Sequence, residues 1–182
     1  ILTDCLERIA GHKPQQPCQI FEPFAAAQSG RYRVGLKVAD GGLAYLEHGS
    51  HRTVPLRQCA ALAPALEAVM HSLAEALPSL PPGLTSVEAS LSADSQNCSA
   101  RVTVDAELTP PAVRQLIQAV VRQTKLDGVW VAADHGAIEA GEVRLRGLIS
   151  TGFGKRYRLR GGSFHQASPA VNEALVRAVV DA

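Results

Sequence analysis

Two periods of apolar and polar positions alternate along the chain. Tyr32, Val34, Leu36 and Val38 alternate with Arg31, Arg33 and Lys37, the two-residue period of a strand with one apolar face. Asp40-Gly41-Gly42 follows and predicts a tight hairpin turn, with further strands over 43–47 and 53–58. From Pro64 the period lengthens: Leu66, Val69, Met70, Leu73 and Leu77 form the stripe of an amphipathic helix. Pro64 suits its first turn, and Pro78 with Pro81-Pro82-Gly83 ends it.

Val87, Ala89 and Leu91 then alternate with Glu88, Ser90 and Ser92, and Ala100, Val102, Val104 and Ala106 with Arg101, Thr103 and Asp105. With Asp94-Ser95-Gln96-Asn97 between them, these predict an antiparallel hairpin with one wet face. Thr109 is placed to cap a second helix at Pro110-Pro111, whose buried stripe is Val113, Leu116, Ile117, Val120 and Val121. The strand pattern returns after Gly128, at Val129-Trp130-Val131, at Val143 and Leu145, and at Tyr157 and Leu159. Ser168 as N-cap and Pro169 at the first helical position open a last helix carrying Val171, Leu175 and Val179. At the other end, residues 1–10 read as a helix end stopped by Gly11, and His12 to Gly30 as a proline-bearing linker. Short connections favour antiparallel pairing over parallel crossovers. The expected fold is α+β, with antiparallel β-hairpins alternating with amphipathic helices.

Composition narrows the function classes. Apolar residues make up 46% of the 182 positions, too many for a disordered chain. With aromatics at only 4%, the core must rest on Leu, Val, Ile and Ala. A formal charge of +1 supplies no bulk attraction for nucleic acid, so only local clustering of cations could. No apolar run approaches the roughly 20 residues that span a bilayer. The four cysteines, Cys5, Cys18, Cys59 and Cys98, are widely spaced with no C-x-x-C pair, which points to reduced thiols in a cytoplasmic protein.

Several patterns carry chemistry. Arg31, Arg33 and Lys37 form one basic strand face, and Lys155, Arg156, Arg158 and Arg160 supply a second. Alternate strand residues repeat about every 7 Å, so Arg156, Arg158 and Arg160 would make a row suited to an RNA backbone. The same row also reads as the solvated outer face of a sheet. Gly152-Phe153-Gly154-Lys155-Arg156 lacks the spacing of a phosphate loop and reads as a hairpin turn. His48, His51 and Cys59 lack a fourth zinc ligand and a matching pair, and the two histidines read as surface side chains on a turn. Phe164, His165 and Gln166 precede a helix N-terminus, a set able to grip a nucleobase, although Phe164 also fits a core position.

In order and spacing these segments resemble the middle portion of the RNA uracil-5-methyltransferases. Leu6-Glu7-Arg8-Ile9-Ala10-Gly11 is similar to the helix end that follows the family's cluster cysteines. Tyr32-Arg33 with Lys37 resembles its basic strand, and Gly49-Ser50, Val54, Gln58-Cys59, Leu62, Pro64 and Leu66 resemble its strand-to-helix segment. Phe164, Gln166, Val171 and Asn172 are similar to the segment at the entrance to its methyltransferase domain. Ser168 and Val34-Gly35 depart from the family's asparagine and its more polar strand.

The resemblance implies a transferase using S-adenosylmethionine on ribosomal or transfer RNA. In such enzymes a cysteine attacks C6 of uracil, C5 takes the methyl group and a carboxylate removes the C5 proton. It implies Cys59 as one ligand of a 4Fe-4S cluster, Gln166 at the cofactor and uracil site with Phe164 lining it, and Arg33 and Lys37 on RNA. The remaining cluster cysteines would precede Ile1, and the catalytic residues would follow Ala182. The expectation is therefore a piece of a longer enzyme, inactive alone: residues 1–30 a helix end and linker, 31–162 a central substrate-binding domain, and 163–182 the start of the connection to a methyltransferase domain. The alternative is a stand-alone, non-catalytic RNA-binding module.

Overall fold

The structure, a computed structural model, describes residues 30–133, 136–149, 155–160, 163, 168–169 and 171–172. The first strand, β1 (Arg33–Ala39), runs into β2 (Gly42–Leu46) through Asp40 and Gly41, with φ of 51° and 75°. Two successive positive φ values give the tight turn whose twist matches the strands it joins. Then come β3 (Thr53–Pro55), helix α1 (Pro64–Ala76) with a short 3-10 turn at Leu77–Ser79, and the hairpin β4 (Leu84–Leu91) and β5 (Cys98–Val104). Helix α2 (Pro110–Gln123) leads to β6 (Gly128–Ala133), β7 (Gly136–Gly141), β8 (Arg144–Ile149) and β9 (Lys155–Arg160).

Seven strands form one sheet in the order β3-β2-β1-β4-β5-β6-β7, and β8 pairs with β9 in a separate two-stranded ribbon. The fold is α+β with mainly antiparallel strands, as the alternation predicts. One pairing departs from that expectation: β5 and β6 run parallel, joined by α2 as a crossover. The hairpin rule fails there because α2 returns the chain to the end of the sheet it left. Strand β7, of sequence GAIEAG, carries too little alternation to be seen in the sequence.

Both helices cover one face. Leu66, Met70 and Leu73 of α1 and Leu116, Ile117 and Val120 of α2 join Val34, Leu36, Val87, Ala100, Val102 and Val129 in a single buried cluster. Each fully buried Leu, Ile or Val removes enough apolar surface from water to contribute about 1.5–3 kcal/mol. Thr109 sits at the N-cap of α2 as expected, but its hydroxyl makes no capping bond. One of the two amides a cap normally serves is Pro111, which has no N–H.

The opposite face is only partly wet. Ser90, Ser92 and Ser99 are buried, against the single wet face that the hairpin pattern predicts. For Ser99 the cause is tertiary: β8 passes beside β5, Val143 and Leu145 are buried, and Ser99 Oγ donates to the Val143 carbonyl at 3.5 Å. Gly128 permits that crossing, since a Cβ there would lie 2.2 Å from the Glu142 carbonyl oxygen.

Candidate nucleic-acid interface

Away from the helices, the register aligns a row of side chains across five strands. Gly35 of β1 stands opposite Glu88 of β4, Glu88 opposite Arg101 of β5, Arg101 opposite Trp130 of β6, and Trp130 opposite Glu139 of β7. Paired residues share a face of a sheet. The apolar partners one position away, such as Leu36, Val87, Val102 and Val131, are buried against the helices, so this row faces outward.

Arg33 and Lys37 flank Gly35 on β1, and the structure treats them differently. Arg33 is tied to Glu88 by an ion pair whose side chains are 23% and 29% exposed. Lys37 is exposed, and among the described residues it has no carboxylate partner. Arg31 lies just before β1 and is exposed. It forms an isolated bridge with Leu62, and its charge acts on Tyr45, which packs against the helix-side core. Of the three cations of the basic strand, Arg33 and Lys37 therefore lie within β1, and Arg31 precedes it.

The ribbon brings Arg160 to the same side. Arg160, the last residue of β9, lies with its guanidinium carbon 5.4 Å from the centroid of the Trp130 ring and pairs with Glu139 at 2.8 Å. Arg101 lies 5.6 Å from that centroid. Arg158 is exposed and stands in register with Arg146, as Arg160 does with Arg144. Lys155 and Arg156 occupy the first positions of β9. Sequence reasoning missed Arg101, Trp130, Glu88 and Glu139. Arg101 was legible only as the polar partner of an alternating strand, and Trp130 only as part of an apolar triplet.

Between β1 and β5 the face carries an open groove of about 500 Å³, lined by Gly35, Lys37, Ser86, Glu88, Arg101 and Thr103 among others. The groove and the Trp130 ring share Arg101. Together they offer guanidinium and ammonium groups, hydroxyls, one neutralised carboxylate and an aromatic surface, a set suited to phosphates and bases.

Cys59 lies apart from this face. Its thiol accepts a hydrogen bond from the Tyr45 hydroxyl at 3.4 Å, and its backbone N–H donates to Glu67 Oε1 at 2.9 Å. Burial, reinforced by the contact with Cys59, raises the Tyr45 hydroxyl well above the ordinary phenol range. His48 and His51 are exposed, and among the described residues no three His, Cys, Asp or Glu side chains gather to hold a metal. The described residues therefore do not make up a cluster site around Cys59. Phe164 and Gln166 lie outside the described residues, as do the 152–154 turn and the helix end at 1–10. Of the last predicted helix the described part agrees: Ser168 Oγ accepts the Val171 N–H at 3.4 Å.

In fold the chain is similar to the tRNA (uracil-54, C5)-methyltransferase of Pyrococcus abyssi, solved in complex with S-adenosyl-L-homocysteine. The likeness has a TM-score of 0.66 at 14% identity, and covers 98% of this chain and 46% of that enzyme. It is a likeness of fold. The chain spans about half the length of the enzyme it matches. No protein-family model matches the sequence, and no protein of curated function matches it. No helix among the described residues is long and apolar enough to cross a membrane.

Proposed function

We propose that this chain is the central, RNA-binding part of a cytoplasmic S-adenosylmethionine-dependent RNA uracil-5-methyltransferase, acting on ribosomal or transfer RNA. The observation that carries the reading is the fold likeness across 98% of this chain to an enzyme named for that reaction. The sequence resemblance points to the same family from separate segments. Residues 31–162 would form the substrate-binding domain, and 163–182 the start of the connection to a methyltransferase domain of the same polypeptide. That domain would supply the catalytic cysteine and base, so the isolated chain is inactive.

Within the reading, the outward face bearing Lys37, Arg101, Arg158 and Arg160 takes the RNA backbone. Arg33 acts through its pair with Glu88, by shaping the groove. S-adenosylmethionine, when bound, would supply the methyl group; Gln166 would reach its site and Phe164 line it. Cys59 would contribute one ligand to a 4Fe-4S cluster only if the other cysteines come from sequence beyond this chain.

The test is expression of the native reading frame with its flanking sequence, followed by labelled methyl transfer to transfer RNA and ribosomal RNA transcripts. Label at C5 of uridine is the expected result. RNA binding without methyl transfer would favour the second reading, a stand-alone RNA-binding module, for which the exposed cations Lys37, Arg101 and Arg158 provide the physical basis.

A further inference from the structure

We propose that the groove over Gly35 and the ring of Trp130 form one site for a short unpaired stretch of RNA, one base stacked on the indole and its neighbour seated in the groove. This rests on the RNA-binding reading and adds what part of RNA is recognised, and where.

Gly35 is the telling residue. It lies inside a seven-residue strand, where glycine weakens pairing and offers no side chain to pack. Its φ lies outside the left-handed region, and an added Cβ would meet no atom within 4 Å. Neither backbone conformation nor crowding demands glycine here. What its missing side chain does is leave the groove floor bare, in a volume of about 500 Å³ that lies within the range of small-ligand sites.

The walls suit a nucleotide. Lys37 and Arg101 border the groove, and neither has a carboxylate partner among the described residues. Glu88 would repel phosphate, but its ion pair with Arg33 neutralises it. Ser86 and Thr103 add hydroxyls. Arg101 then links the groove to Trp130, whose ring it approaches at 5.6 Å. From Gly35 to Trp130 is three interstrand steps of roughly 4.8 Å, about 14 Å in all, the reach of a few nucleotides.

An indole on an outward sheet face stacks only bases free of pairing. Arg160 now lies against that ring, held by Glu139. An entering base takes the place of the guanidinium, and Arg160 remains close enough to meet the adjoining phosphate. A duplex, whose bases are stacked on each other, cannot make this exchange.

Trp130 is the chain's single tryptophan, so its fluorescence reports directly on the site. The experiment titrates the 182-residue chain at low salt with single-stranded hexauridylate and, separately, with a short RNA duplex. The single strand should quench Trp130 and bind more tightly than the duplex. Gly35→Val should fold with an undiminished melting temperature yet bind the single strand about tenfold or more weakly, since it fills the groove. Lys37→Ala, on an exposed side chain, gives a second check by reducing the salt slope by about one. Single-strand binding with unchanged fluorescence, and with Gly35→Val equal to the parent, overturns this site while leaving the RNA reading intact. Tighter binding of the duplex overturns it too. Absence of any RNA binding at low salt removes the RNA reading and this proposal with it.

Discussion

Glu139 holds Arg160 at 2.8 Å while the same guanidinium lies 5.4 Å from the ring centroid of Trp130. The pair thereby fastens the end of the β8–β9 ribbon to the outward face of the main sheet. Both partners are partly exposed, at 42% and 36%, so the ion pair contributes at most about 1 kcal/mol. The contact with the indole adds about 0.5–1 kcal/mol. Arg160→Ala should therefore lower stability by about 1–2 kcal/mol in urea unfolding and shift the Trp130 emission. Arg160→Lys should keep part of the ion pair and lose the planar stacking. An Arg160→Ala protein with unaltered emission would mean that the ring does not feel this contact in solution.

Gly128 and Gly35 should respond oppositely to alanine. A Cβ at Gly128 would stand 2.2 Å from the Glu142 carbonyl oxygen and 2.7 Å from the Val143 nitrogen, both backbone atoms with no freedom to swing aside. Gly128→Ala should cost about 3 kcal/mol or more and disturb the crossing of Val143 over Ser99. Gly35→Ala meets nothing and removes an unfavourable strand glycine, so it should be neutral or stabilise by up to about 1 kcal/mol. Thermal melting of the two variants side by side checks the contrast.

Ser90 is fully buried, and its hydroxyl is the one buried side-chain polar atom among the described residues that lacks a hydrogen-bond partner. An unsatisfied buried hydroxyl costs about 1–3 kcal/mol in lost hydration. Replacing Ser90 by Ala takes the oxygen away and removes that cost. Ser90→Ala should thus raise the urea midpoint, with no change in the slope of the transition. A lower midpoint would show that the hydroxyl has a partner in solution.

The Cys98 thiol is pushed up to about 12 from 9.0, first by burial and then by the nearby Asp127 carboxylate. On folding this acid binds its proton more tightly. Its contribution to stability is complete below the unfolded value of 9.0 and is lost as pH rises toward the folded value of about 12. Cys98→Ala should flatten the fall in stability across that window, whatever its effect at neutral pH. In the parent at about pH 8, just below the ordinary thiol range, iodoacetamide should label the partly exposed Cys59 and spare the buried Cys98, as peptide mapping would reveal.

Local periodicity carried most of the elements. The stripe of Leu66, Val69, Met70 and Leu73 and that of Val113, Leu116, Ile117 and Val120 are the buried faces of α1 and α2. The alternation at Val34 and Leu36, and the positive φ values that Asp40 and Gly41 adopt, appear where the pattern places them. These features depend on neighbours within a turn or a hairpin, so a one-dimensional pattern contains them.

The candidate site is different. Arg33 was legible as a basic strand residue, but its engagement with Glu88, 55 positions away, was not. Arg101 and Arg160 meet over Trp130 only because α2 sets β6 parallel to β5 and the ribbon folds back across the outward face. Ser90 and Ser99 alternate like wet residues yet are buried, Ser99 beneath that same crossing. A two-residue period states that a strand has two faces. Which face is covered, and which cations stay unpaired on it, depends on contacts between segments far apart in the chain, and these exist only once the sheet has assembled.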